Sequence, residues 1–192
     1  MRPTGAWVRM VMKLRKTVVM VGMMGAGKTA VGRELARRLD VPFRDSDEEI
    51  QRAANMTIAE IFARDGEEFF RLREAEVITR LMREGPCILS IGGGAFLAEA
   101  TRALISAHGV SVWLRADLDL LWSRVKGKTT RPLLRTENPR ATLAALLEAR
   151  TPHYAHADLV VDSAAGYSLA EMAGKVLETL GQRADVLERA GE

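Results

Sequence analysis

Lys16 marks a switch from a basic to an apolar stretch, and Thr17-Val18-Val19-Met20-Val21 follows as a β-branched run. A short continuous run of this kind predicts a strand buried on both faces. A glycine-rich turn comes next, and from Thr29 to Leu39 apolar residues recur at helical spacing. Val41 to Phe43 reads as a second strand, with Asp45 and Asp47 at its carboxyl end. Ser46-Asp47-Glu48-Glu49 has the form of a capping box opening another helix. Thr57-Ile58-Ala59-Glu60 repeats that form and predicts a short helix that stops before Asp65-Gly66. Glu67 to Arg83 predicts a long helix with Leu72, Ala75, Ile78 and Met82 on its apolar face.

The alternation continues. Cys87 to Ile91 reads as a third strand running into Gly92-Gly93-Gly94, and Val110 to Leu114 as a fourth after an intervening helix. Asp117 is placed to cap a helix carrying Leu118, Leu121 and Val125. Lys126 to Asn138 has no usable periodicity, and a loop of that length in a compact domain predicts a mobile lid. Pro139 suits the first position of a helix running through Arg150, and Leu159 to Val161 gives the fifth strand. Ser168-Leu169-Ala170-Glu171 caps the last helix, and the charged tail from 182 to 192 is expected to fray. Residues 1–15 are expected to be a flexible extension, or to precede a later start at Met10 or Met12. Strands alternating with helices predict one α/β domain over 16–181, a five-stranded parallel sheet with helices on both faces. Ligands in that architecture bind at the carboxyl ends of the strands.

Composition adds mainly exclusions. The 192 residues carry a net charge of +3 with both signs mixed along the chain, which argues against a nucleic-acid partner. No apolar run approaches the ~20 residues of a membrane span, so no membrane partner is expected. The single cysteine, Cys87, sits in an apolar stretch where a packed thiol is expected. A reducing cytoplasmic setting fits it.

The chemistry begins at Gly22-Met23-Met24-Gly25-Ala26-Gly27-Lys28-Thr29, which satisfies G-x-x-x-x-G-K-[ST] between a strand and a helix. Successive backbone N–H groups of such a loop wrap a phosphate at a helix N-terminus. Gly25, Ala26, Gly27, Lys28, Thr29 and Ala30 are therefore expected to hold ATP, with Lys28 on the terminal phosphates and the Thr29 hydroxyl on Mg²⁺. This motif says nothing about the acceptor. Asp45-Ser46-Asp47 offers one carboxylate for hydrated Mg²⁺ and one for a substrate hydroxyl, although plain helix capping explains it equally well. Arg71 follows Phe69-Phe70, Arg131 lies in the lid and Arg150 ends a helix, and arginine is suited to gripping a carboxylate with two parallel hydrogen bonds. Gly92-Gly93-Gly94 would let a ligand approach the backbone closely.

These residues resemble the shikimate kinase family, relatives of the nucleoside monophosphate kinases. The resemblance runs from about Lys16 to Leu180 and rests on Gly22 to Thr29, Asp45-Ser46-Asp47, Phe62 with Asp65-Gly66-Glu67 and Phe70-Arg71, Gly92-Gly93-Gly94, Thr130-Arg131-Pro132-Leu133-Leu134, and Arg150 with Tyr154. It implies a P-loop kinase fold and transfer of the ATP γ-phosphoryl group to the 3-hydroxyl of shikimate. It further implies that Asp47 holds ring hydroxyls, and that Arg71 and Arg150 bind the shikimate carboxylate with the backbone at Gly93 and Gly94. Ile58, Phe62, Phe70, Pro132 and Leu133 would line the pocket, and Asp45 would act through Mg²⁺-bound water. Arg131 would reach the transferring phosphate and Arg124 would stack on adenine. The loop Asp162 to Ser168 lacks the proline often found there. Gluconate or a nucleoside monophosphate is the alternative acceptor, and a non-catalytic ATP-binding switch the alternative class. A monomer is expected.

Overall fold

A computed structural model describes residues 12–127 and 132–189. Its central sheet has five parallel strands: β2 (Thr17–Val21), β3 (Phe43–Asp45), β4 (Ile88–Ser90), β5 (Gly109–Arg115) and β6 (Leu159–Asp162). They lie in the order β3-β4-β2-β5-β6. Every residue of β2 is buried. Successive side chains of a strand point to opposite faces, so complete burial means that both faces of the sheet are covered. The cover comes from seven α-helices among the described residues: α1 (Lys28–Leu39), α2 (Ser46–Ala54), α3 (Ile58–Arg83), α4 (Glu99–His108), α5 (Leu118–Val125), α6 (Pro139–Tyr154) and α7 (Leu169–Leu180). All five parallel strands present their carboxyl ends on one side, which is where the chemistry-bearing residues gather.

Several local expectations shift. The second strand starts at Phe43, because Asp40 turns left-handed after α1 and the Val41 N–H still bonds the Ala36 carbonyl at 3.1 Å. Asp45 therefore ends the strand and itself caps α2, its carboxylate accepting from the N–H groups of Asp47 and Glu48. Ser46, expected to cap, is fully buried instead, and its hydroxyl accepts from the Gly92 N–H at 3.3 Å. The two helices expected around Asp65-Gly66 are both present: the run α3 is interrupted at Gly66, whose φ of 86° and ψ of 169° are not helical. On α3 the expected apolar face is half met: Ile78 and Met82 are buried, whereas Leu72 and Ala75 are exposed. Leu72 is 58% exposed, and the buried stripe runs Phe70, Glu74, Ile78 and Leu81 with Met82. Helix α6 continues past Arg150 and through Pro152 to Tyr154.

The ends of the chain also depart from expectation. Met12–Leu14 forms strand β1, paired antiparallel with β7 (Leu187–Arg189). Neither the stretch before Lys16 nor the one after Gly181 is therefore wholly frayed. Leu14, Val186 and Leu187 are buried in the main core. Full burial of a leucine or valine side chain contributes roughly 1.5–3 kcal/mol. The pairs Arg15–Glu188 and Lys16–Asp185 are solvent-exposed and add little. Packing, not charge, holds the ribbon. The Cys87 thiol is packed as expected, and burial pushes its pKa up.

Candidate active site

The turn after β2 wraps back so tightly that side chains are excluded. Gly25 has φ 84°, and a Cβ there would fall 2.8 Å from Val125 Cγ1. Gly27 occupies the N-cap of α1 with no side-chain cap bond, so the first N–H groups of the helix face the loop uncapped. That leaves an anion-binding helix end. The Lys28 ammonium donates to the Gly22 and Met23 carbonyls at 2.8 and 3.1 Å, which holds its charge over the loop. Thr29 Oγ1 donates to Asp45 Oδ2 at 2.9 Å, bringing together a hydroxyl and a carboxylate from two elements. Arg124 on α5 donates to the carbonyls of Gly25 and Ala26 and to Ser163 Oγ, at 3.1, 3.3 and 3.4 Å. Its guanidinium thereby joins the phosphate loop to the connection after β6. These residues line a cavity of about 470 Å³, with Tyr167, Leu169 and Met172 on its far element.

A second cavity, about 520 Å³, adjoins the first. Met24, Asp47, Gly92 and Gly93 line both. Its cationic lining comes from Arg71 on α3, Arg135, and Arg150 on α6, the last only 8% exposed. Arg71 donates to Glu74 Oε2 at 2.6 Å and to Glu67 Oε1 at 3.1 and 3.3 Å. Burial pulls the Arg71 pKa down, but the two carboxylates override it and hold the guanidinium above its usual value. The Tyr154 hydroxyl donates to the Gly93 carbonyl at 2.6 Å and fixes the glycine turn. Burial raises the Tyr154 pKa, so the phenol remains a donor. A Cβ at Gly94 would lie 2.6 Å from the Arg71 Cζ, so a side chain there would push the guanidinium from its place. The Phe62 and Phe70 rings pack at a tilt, with centroids 4.8 Å apart, and make the apolar wall with Ile58 and Leu133.

Glu74 also lines the second cavity and was not among the expected site residues. It is 2% exposed, beside Asp47, Arg71 and Arg150. Its Oε1 has no hydrogen-bond partner among the described residues. Burial, the larger effect, pushes its pKa up to about 6; Asp47 adds to the rise, while Arg71 and Arg150 oppose it. The signal was present in the sequence. Phe70, Glu74 and Ile78 share a helix face at spacings of four, so a carboxylate interrupts an apolar stripe and stands three residues from Arg71.

Of the residues expected to form the site, Gly25, Ala26, Gly27, Lys28, Thr29, Ala30, Asp45, Asp47 and Arg124 line the first cavity. Asp47, Arg71, Gly93, Gly94 and Arg150 line the second. Arg131, Thr130 and Lys128, and with them the centre of the expected lid, lie outside the described residues. Either side of that gap are Lys126-Gly127 and a short 3-10 turn at Pro132–Leu134.

A nucleotide-phosphate loop opening onto a separate polar and cationic cavity, on a parallel sheet, defines a P-loop phosphotransferase. The particular family comes from comparison with known proteins. The shikimate kinase family model matches residues 24–181. A shikimate kinase from Cereibacter sphaeroides is 68% identical over 176 residues, covering 92% of this chain and 88% of its relative. One from Ruegeria pomeroyi is 66% identical over 175 residues, 91% of this chain and 90% of the relative. The solved structure of shikimate kinase from Acinetobacter baumannii in complex with shikimate superposes with a TM-score of 0.83 at 37% identity, covering 87% of this chain and 93% of that one. The chain belongs to the shikimate kinase family.

Proposed function

We propose that this protein transfers the γ-phosphoryl group of ATP to the 3-hydroxyl of shikimate, giving shikimate 3-phosphate and ADP within aromatic amino-acid biosynthesis. The observation that carries the reading is the junction of the two cavities at Met24, Asp47, Gly92 and Gly93. A hydroxyl bound beside Asp47 faces the end of a triphosphate laid along Gly22–Thr29. The acceptor oxygen forms a bond to the γ-phosphorus as the bond to the β,γ-bridging oxygen breaks, and ADP carries away that oxygen. Asp47 orients the attacking hydroxyl and accepts its proton. Arg71 and Arg150 hold the carboxylate at the other end of the ring, in the bidentate geometry to which guanidinium is suited.

Phosphoryl transfer needs little covalent help from protein, so positioning and charge neutralisation dominate. Lys28 supplies positive charge on the loop side, and Arg131 is assigned the transferring group from the lid. Thr29 Oγ1 and Asp45 Oδ2, 2.9 Å apart beside the phosphate loop, fit a hard cation that takes oxygen ligands and keeps several waters. Mg²⁺ held there would neutralise charge on the β- and γ-phosphates. The Asp45 Oδ1 already caps α2, which fixes the other oxygen toward Thr29. We read the protein as a monomer acting on small molecules. No helix among the described residues is long and apolar enough to cross a membrane. We place the protein in the cytoplasm, where ATP and its acceptor are available. A coupled assay of ADP formation over shikimate, gluconate and nucleoside monophosphates tests the reading. Turnover is expected with shikimate alone, and turnover with gluconate but not shikimate would overturn it.

A further inference from the structure

The acceptor cavity carries more positive charge than the assigned roles use. Among the described residues, five ionisable side chains line it: Asp47, Arg71, Glu74, Arg135 and Arg150. Arg71 and Arg150 are assigned the acceptor carboxylate, and the protein already engages both. Arg71 donates to Glu67 and Glu74, while Arg150 lies beside Glu74 and the Tyr154 hydroxyl. Arg135 has no assigned role. Its place is set by the chain on either side of it. Leu134 is buried in the main core, and Leu133 lines the same cavity. On the other side the Thr136 and Thr142 hydroxyls bond at 2.7 Å, and Asn138 caps α6 by accepting from the Ala141 N–H at 3.1 Å. The backbone at Arg135 is thus tied both to the core and to α6. The residue is solvent-exposed and lines the acceptor cavity but not the nucleotide cavity, which puts its charge at the acceptor mouth.

At neutral pH three guanidinium groups against two carboxylates leave the described lining with one net positive charge. Removing Arg135 would leave it neutral. Ile58, Phe62, Phe70 and Leu133 supply apolar walls around these groups. A cleft with charge of one sign and low-dielectric walls focuses its field outward and concentrates ions of the opposite sign. We propose that Arg135 is a specificity-determining residue that draws anionic acceptors into the cavity before Arg71 and Arg150 grip the carboxylate. It favours a carboxylic acid over a neutral polyol of similar size. The proposal rests on the phosphoryl-transfer reading above and adds to it the group that recruits the acceptor. The competing explanation is an ordinary solvated arginine, which would contribute nothing measurable.

Attraction at a distance is separated from contact by salt. Steady-state kinetics of the full chain with shikimate at saturating ATP would be followed from about 20 mM to about 500 mM NaCl, where the Debye length shrinks to ~4 Å. At low salt Arg135→Ala should lower kcat/KM about threefold to fivefold, with kcat within about twofold of wild type. The deficit should vanish at high salt. Arg135→Lys, which keeps the charge, should stay within about twofold of wild type, and Arg135→Glu, which reverses it, should lose about tenfold or more at low salt. A deficit in Arg135→Ala that persists at high salt would mean contact or packing and would overturn the proposal. Low-salt kcat/KM equal to wild type in both the Ala and Glu variants would overturn it as well. Calorimetric ATP affinity should stay within about twofold in every variant; a loss matching that in kcat/KM would move the effect to the nucleotide and contradict the assignment. Wild-type protein that forms no ADP in response to shikimate would instead remove the reading on which the proposal stands.

Discussion

The two cavities are built by different means. The nucleotide side is made largely of backbone: a contiguous turn, Gly22–Thr29, leads directly into an uncapped helix end. The acceptor side is made of side chains drawn from distant segments: Asp47 on α2, Arg71 and Glu74 on α3, the turn at Gly92–Gly94, and Arg150 with Tyr154 on α6. A phosphate can be held by any loop whose N–H groups converge, so a short local motif suffices. An acid bearing several hydroxyls needs charges at fixed separations, which only tertiary structure supplies. The acceptor side is consequently the more electrostatically crowded, with two carboxylates and two guanidinium groups around one buried position.

That contrast can be broken with single changes. The largest effect is expected at Lys28. Lys28→Met removes the charge that the proposed function assigns to the transferring phosphoryl group, and kcat should fall roughly a hundredfold to a thousandfold with the acceptor KM little changed. Steady-state kinetics at saturating ATP measure it. Arg71→Ala should do the reverse, raising the acceptor KM by about tenfold to a hundredfold while calorimetric ATP affinity stays near wild type. If both variants lose ATP affinity equally, the division between the cavities is wrong.

Glu74 gives a smaller and pH-dependent effect. Its folded pKa, about 6, lies above the ordinary 4.5, so between these values the folded protein holds a proton that the unfolded chain has lost. Stability from this group is therefore lost as pH rises through that window. Unfolding by urea should show wild type losing about 2 kcal/mol relative to Glu74→Gln between pH 4.5 and pH 7. The acceptor KM should rise across the same window, because ionised Glu74 competes with the substrate carboxylate for Arg71. A KM profile that is equally steep in Glu74→Gln would remove Glu74 from that role. The smallest effect is expected far from either cavity: Arg15→Ala should leave the urea midpoint close to wild type and the kinetics unchanged.

The same contrast explains what could be read from the chain. Continuous burial made Thr17–Val21 legible, and the phosphate loop, the Thr57 and Ser168 capping boxes, and Asp117 were all local patterns that survive folding. Glu74 was legible only as a break in the stripe from Phe70 to Ile78; its significance lies in Asp47 and Arg150, 27 and 76 residues away in sequence. Its presence in the buried stripe also displaced the expected apolar face of α3 onto Leu72, which is exposed. The ribbon of β1 with β7 was missed for a related reason. Each partner is three residues long and has no periodicity of its own, so only their meeting makes either one a strand.

The central claim is that a phosphoryl group crosses from one cavity to the other at Asp47. Phosphorus NMR of the protein with ATP, Mg²⁺ and shikimate tests it most directly. The account predicts one new phosphomonoester on the 3-oxygen of shikimate, appearing in step with ADP. ADP accumulating with inorganic phosphate and no phosphomonoester would contradict it.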